Sequence, residues 1–125
     1  MLPPPHPPDE QERLRDLRRL EILETDPEPE FDRIVRLAAA VGRTPIAVIS
    51  LYDQHRQWFK ARVGLDAHEA PRELSFCAHA ITQQQPLVVL DALLDDRFSD
   101  NPSVTGDPKV RFYAGAQLKG ATGLL

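Results

Sequence analysis

The residues with the widest chemical range fall within residues 56–81, RQWFKARVGLDAHEAPRELSFCAHAI, which hold the only Trp and the only Cys of the 125-residue chain. Cys77 and His79 are the soft-ligand candidates. Side chains two positions apart on a helix point about 200° apart, so one helix cannot turn both toward a single ion. The pair reads as a buried, inert thiol beside an imidazole on the polar flank, and no metal is expected there. Trp58, Lys60 and Arg62 alternate along a strand-like run and make an aromatic and cationic face. Such a face suits an anionic ligand. The preferred reading packs Trp58 under a helix while Lys60 and Arg62 reach past it to solvent.

Asp91, Asp95, Asp96, Asp100 and Asp107 supply many carboxylates, but the spacing and turn glycine of a calcium loop are missing. Caps and turns account for them better. His55 and His68 fall in loops and signal nothing specific. The chain carries no phosphate-cradling glycine loop, no HExxH, no G-x-S-x-G elbow and no kinase signature. No spacing supplies a base for Cys77 or for a serine. The chemistry on offer is binding, without catalysis and without a cofactor.

These residues need elements to hold them. Residues 9–21 are good helix formers with Leu14, Leu17 and Leu20 on one stripe, acids leading and bases trailing as the helix dipole favours. Asp26 is the expected N-cap of a second helix, with Pro27 at its first position and Gly42 at its end. Its apolar stripe is Phe31, Ile34, Val35, Leu37, Ala38 and Val41. Residues 45–53 and 57–63 predict two strands joined by an Asp53-Gln54-His55 turn, closed by Gly64. A polar loop around Pro71 follows, then a helix capped by Ser75 that places Phe76, Cys77, Ala80 and Ile81 on one face. Residues 86–90 predict a third strand, and residues 91–108 are turn-rich with one helical turn at 92–95. Residues 111–118 predict a fourth strand with Phe112, Ala114, Ala116 and Leu118 on one face, and Leu124-Leu125 would open a fifth. Strands grouped with helices outside argue an α+β fold with an antiparallel sheet.

The totals narrow the function. The chain has room for one domain, 42% hydrophobic and 27% charged residues, and a formal net charge of −4. That sign argues against nucleic-acid binding. No apolar run approaches the ~20 residues of a membrane span. A lone cysteine and an N-terminus without signal-peptide character make the cytoplasm the expected location. Pro3, Pro4, Pro5, Pro7 and Pro8 mark residues 1–8 as a disordered leader, with the domain over residues 9–125.

Five segments, in order, resemble a GAF domain, the small-molecule sensory module of bacterial signalling proteins. They are ILETDPEPEFDRIVRLAA (22–39), PIAVISLYDQHRQWFKARVGL (45–65), SFCAHAI (75–81), PLVVLDALLDDRFSDNP (86–102) and GDPKVRFYAGAQL (106–118). The resemblance is to a subgroup found ahead of histidine-kinase or diguanylate-cyclase output domains. It implies a central antiparallel sheet with helices on one face and a ligand pocket on the other, under the long loops. The walls expected for that pocket are Trp58, Phe76, Cys77, Phe98, Phe112 and Tyr113. The sequence stops after KGATGLL, where the family continues with a strand and a closing helix, so a GAF-like sheet lacking its last strand or strands and that helix is the expectation. The function implied is sensing of an unknown small molecule by a truncated, non-catalytic domain, with a homodimer possible. The alternatives are an interaction module that dimerises through residues 9–21 and a sheet edge, or a cysteine-dependent redox enzyme of the methionine-sulfoxide type. The latter has only Cys77 to work with.

Overall fold

The computed structural model describes residues 4–83 and 85–119. Two helices come first, α1 (Glu10–Arg19) and α2 (Pro29–Gly42). A hairpin follows, β1 (Ala47–Tyr52) and β2 (Arg56–Val63), then a short strand β3 (Glu69–Pro71). After a 3-10 turn comes α3 (Cys77–Ala80), then β4 (Leu87–Val89), α4 (Pro102–Thr105) and β5 (Tyr113–Gly115). The architecture is α+β and antiparallel, as the sequence predicts, but the described strands divide between two sheets, β1-β2-β3 and β4-β5, where a single sheet was expected. No helix among the described residues is long and apolar enough to cross a membrane.

The hairpin is the organising element. Asp53 N donates to Arg56 O at 3.0 Å to close the turn, and Tyr52 lies opposite Gln57 while Leu51 lies opposite Trp58. A bulge between Ile49 and Ser50 interrupts the ladder, so Ile49 faces Ala61 and Ser50 faces Phe59. Gly64 ends β2 at φ 74°, where an added Cβ would sit 2.0 Å from the Pro45 carbonyl oxygen. Only glycine fits that crossing.

Alternation gives the large sheet two working faces. On one, Leu51 and Trp58 pack with Leu17 of α1 and with Ile22 and Leu23 of the α1–α2 connection. On the other, Tyr52 packs with Ala78, Ile81 and the Cys77 side chain. A further core joins Phe76, Ala80, Leu87, Val89, Ala92, Phe98 and Val104, and binds the small sheet to α3. Acids lead and bases trail in α1, and its buried side carries Arg13, Leu14 and Leu17.

Several details differ from expectation. The second helix begins at Pro29 after Glu28, not at Pro27 after Asp26, and Arg43 at φ 52° turns the chain after Gly42. Ser75 does not cap α3; its hydroxyl meets the Tyr52 hydroxyl instead. β3 and α4 lie in stretches that read as loop. α4 is capped by Asn101, whose Oδ1 accepts from Ser103 N at 2.9 Å. Of the expected fourth strand only Tyr113–Gly115 pairs, and the face expected to carry Phe112, Ala114, Ala116 and Leu118 is exposed: Phe112 is 51% and Leu118 48% exposed. Trp58 does pack under a helix. Lys60, expected in solvent, is a correction: its side chain is fully buried against the α1–α2 connection. Pro7 is buried, and its carbonyl accepts from Glu10 N at 3.2 Å. Leu124-Leu125 lie outside the described residues.

Candidate ligand-sensing site

Four of the six expected wall residues converge. Phe76 enters from the start of α3, Phe98 from the turn after β4, and Tyr113 from β5. The Phe76 and Phe98 rings stack at 4.2 Å and 6°, and Tyr113 tilts against Phe76 at 5.2 Å. Cys77 completes the group, accepting from the Tyr113 hydroxyl at 2.7 Å. That reach depends on Gly115, because a Cβ there would lie 2.1 Å from the Tyr113 hydroxyl oxygen. The remaining two sit elsewhere. Trp58 occupies the opposite face of the sheet, under α1, and Phe112 is half exposed, one residue out of phase with Tyr113.

Polar groups surround the thiol. Gln57 Nε2 donates to Ser50 Oγ at 2.8 Å and lies 3.9 Å from Cys77 Sγ, while Tyr52 and Ser75 hydroxyls pair beside it. Sequence reasoning passed over Ser50, Tyr52, Gln57 and Ser75. The signal was present: Ser50 and Tyr52 alternate on one strand, and the turn register sets Gln57 opposite Tyr52. Burial pushes the Cys77 thiol up, against hydrogen bonds from Tyr113 and Tyr52 that pull it down. Burial likewise raises both tyrosines, with Cys77 beside them adding to it. The arrangement keeps the thiol neutral and the phenols protonated. It offers hydroxyl donors and acceptors beside stacked rings, which suits recognition of a flat polar molecule more than nucleophilic chemistry.

His79 points away from Cys77, edge-on to Phe98 at 5.0 Å. Burial and the Arg97 charge lower its pKa. Asp95 accepts from Arg97 N at 3.0 Å and from Arg97 Nη2 at 2.7 Å, and Asp91 accepts from Leu93 N at 3.0 Å. These carboxylates serve turns. Among the described residues no group of three or more His, Cys, Asp or Glu is placed to hold a metal.

The Cys77 environment has a direct consequence. Labelling of the half-buried Cys77 by a thiol reagent at neutral pH is expected to run at least about 10-fold slower in the folded chain than in urea, because its raised pKa keeps the reactive thiolate scarce. Intact mass against time measures it, and equal rates would show the thiol to be open.

Two surface depressions lie outside this cluster. One, of about 250 Å³, has His6, His55 and Arg72 among its walls. The other is a groove of about 520 Å³ between the α1–α2 connection and β1, with Ile22, Phe31, Ile49 and Leu51 among its walls. Neither is lined by Phe76, Cys77, Phe98 or Tyr113. The stacked rings fill the space between them, so a ligand there must displace an aromatic side chain.

The described residues thus form a hairpin-centred sheet with α1 and α2 on one face and an aromatic, hydroxyl-bearing cluster on the other. The GAF domain family matches residues 26–121, most of the sequence, and the chain belongs to that family. It is also 48% identical over 124 residues to a protein of Pseudomonas aeruginosa named as a cyclic di-GMP phosphodiesterase. The alignment covers 99% of this chain and 21% of that relative, so the chain spans about a fifth of its length.

Proposed function

We propose that this GAF domain is a non-catalytic input module of a bacterial, cytoplasmic signalling protein, and that it senses a small molecule at the Phe76–Cys77–Phe98–Tyr113 cluster. The observation that carries the reading is the convergence of stacked rings with the Tyr113–Cys77 pair on the sheet face opposite α1 and α2. The likeness to a cyclic di-GMP phosphodiesterase supports an output in cyclic-dinucleotide turnover, supplied by sequence beyond this GAF region. Ligand capture would separate the Phe76 and Phe98 rings and re-order the loops at 65–73 and 91–108. It biases the output only through its different affinity for the two states.

Native mass spectrometry of the freshly purified chain, followed by thermal-shift titration with cytoplasmic metabolites including cyclic nucleotides, tests this. The expected result is a saturable ligand whose effect is lost in Tyr113→Phe and kept in Leu94→Ser. Saturable binding that Tyr113→Phe leaves intact would move the site elsewhere.

A second reading, an interaction module, draws on α2. Ile34, Leu37 and Val41 form an outward stripe, 54%, 64% and 77% exposed. Residues 9–21 do not offer the apolar face that reading expected, since Leu14 and Leu17 are buried. A concentration-dependent dimer that binds no small molecule, and that Leu37→Glu dissolves, would favour it.

A further inference from the structure

The α1–α2 connection lies across Trp58 and Lys60, two of the three residues (with Arg62) whose face the sequence marks as fit for an anion. Arg56, Trp58 and Lys60 alternate on β2 toward the α1 side, and residues 22–28, ILETDPE, cover them. Lys60 Nζ donates to Thr25 Oγ1 at 2.7 Å and to Asp26 O at 2.6 Å, and pairs with Glu28 Oε2 at 2.7 Å. Arg56 bonds Glu24 and, from the other side, Glu69 at 2.8 Å. Between the two cations, Ile22 and Leu23 rest on Trp58. Thr25 Oγ1 also donates to Ile22 O at 2.5 Å, so the segment is internally tied.

Little else holds it down. Residues 24–28 are all exposed, and Ile22 and Leu23 are only half-buried. Glu21 and Glu24 adopt φ 52° and 63°, a left-handed conformation that disfavours side chains with a Cβ. A segment with sparse apolar burial, strained backbone and charge-dependent contacts belongs to the low-stability end of a structure.

We propose that residues 22–28 are a strap that opens as a unit from the Arg56–Trp58–Lys60 face, with Arg56 and Lys60 as its latches. The strap joins α1 to α2, and its Ile22, Thr25 and Glu28 form one wall of the 520 Å³ groove whose floor includes Leu51. Opening therefore uncovers Trp58 and merges its face with that groove. The strap is a conformational device on the sheet face opposite the proposed sensing cluster, and it does not depend on that site or its ligand.

Trp58 is the only tryptophan, so its fluorescence reports the strap directly. Hydrogen exchange of residues 22–28 and acrylamide quenching of Trp58 should be compared in the native chain, Glu24→Gln, Glu28→Gln and Lys60→Met. Native strap amides are expected to exchange well before those of the β1–β2 ladder. Glu24→Gln and Glu28→Gln should each raise strap opening several-fold and Lys60→Met about 10- to 100-fold, since the latter removes charge-assisted hydrogen bonds. Quenching should rise in step while β4–β5 protection is unchanged. Both glutamates are exposed, so these two variants decide the matter even where Lys60→Met fails to fold. Strap amides that exchange together with the β1–β2 ladder would overturn the proposal, as would unchanged quenching in both glutamine variants. Increased quenching with equal loss of β4–β5 protection would also overturn it, because that is global loosening.

Discussion

Phe98→Ala is expected to cost the domain about 3–5 kcal/mol, the range for truncating a fully enclosed aromatic residue. Phe98 is 1% exposed and lies in the core with Leu87, Val89, Ala92 and Val104. Its ring stacks on Phe76 at 4.2 Å, meets the His79 edge at 5.0 Å, and lies under the Arg97 guanidinium at 5.1 Å. Truncation removes the apolar transfer term and leaves a hole that stacked neighbours cannot close without losing their own contacts. For a domain of this length the melting temperature should fall by roughly 10–20 °C. Leu94→Ala, at a position 82% exposed, should stay within about 0.5 kcal/mol. Urea titration followed by far-UV circular dichroism measures both. A Phe98→Ala variant within about 1 kcal/mol of the native chain would mean that the cluster is not a packed core, and the proposed ligand site would lose its framework.

The same cluster shows what sequence could and could not convey. The hairpin was legible because a β-branched, largely apolar run (45–53) and an alternating run (57–63) flank a three-residue polar turn, and the turn fixes the register. The placement of Phe76 and Cys77 over the sheet was legible through the GAF resemblance. Tyr113 and Phe112 were both named, yet only the register of β5 decides which of two adjacent aromatics turns inward, and a three-residue strand carries almost no alternation to read. Trp58 was correctly read as packing under a helix. That same alternation sets it on the face away from Cys77, so the two readings offered for it could not both hold. Lys60 was misread for a different reason. Its partners Thr25, Asp26 and Glu28 lie more than thirty residues earlier, and nothing local shows that three acceptors will converge on one ammonium. Buried charges are recognisable only after the fold has paired them.

Glu10→Ala should be nearly as damaging as Phe98→Ala, for an electrostatic reason. Glu10 accepts from Arg13 Nε and Nη2, each at 2.9 Å, and from Arg72 Nη1 at 2.6 Å. Those guanidiniums also reach main-chain carbonyls, Arg13 to Tyr52 O at 2.7 Å and Arg72 to Asp53 O at 3.1 Å. One carboxylate thus bridges two buried guanidiniums, offsetting one of their two positive charges, and ties α1 to the β1–β2 turn and to the segment leading into α3. Removing it strands both charges, and a loss of about 3–4 kcal/mol is expected at neutral pH. Acid should act on the same contact. Burial alone would raise the Glu10 pKa, but the hydrogen bonds from Arg13 and Arg72 outweigh it and hold the carboxyl at about 2, below its ordinary 4.5. Because the folded value is the lower one, the stabilisation is complete above pH 4.5 and drains away as pH falls toward 2. That drop in pKa sets a ceiling of roughly 3 kcal/mol, and partial solvent screening brings the expected contribution to about 1–2 kcal/mol. Other carboxylates titrate in the same window, so the informative quantity is the stability gap between the native chain and Glu10→Gln. His6 Nδ1 lies 3.6 Å from the carboxylate, and a His6→Gln background removes that contact from the comparison. Urea midpoints at pH 7, 4 and 3 should show the gap narrowing steadily with acid. A gap that stays constant from neutral pH to pH 3 would mean that Glu10 contributes packing rather than charge.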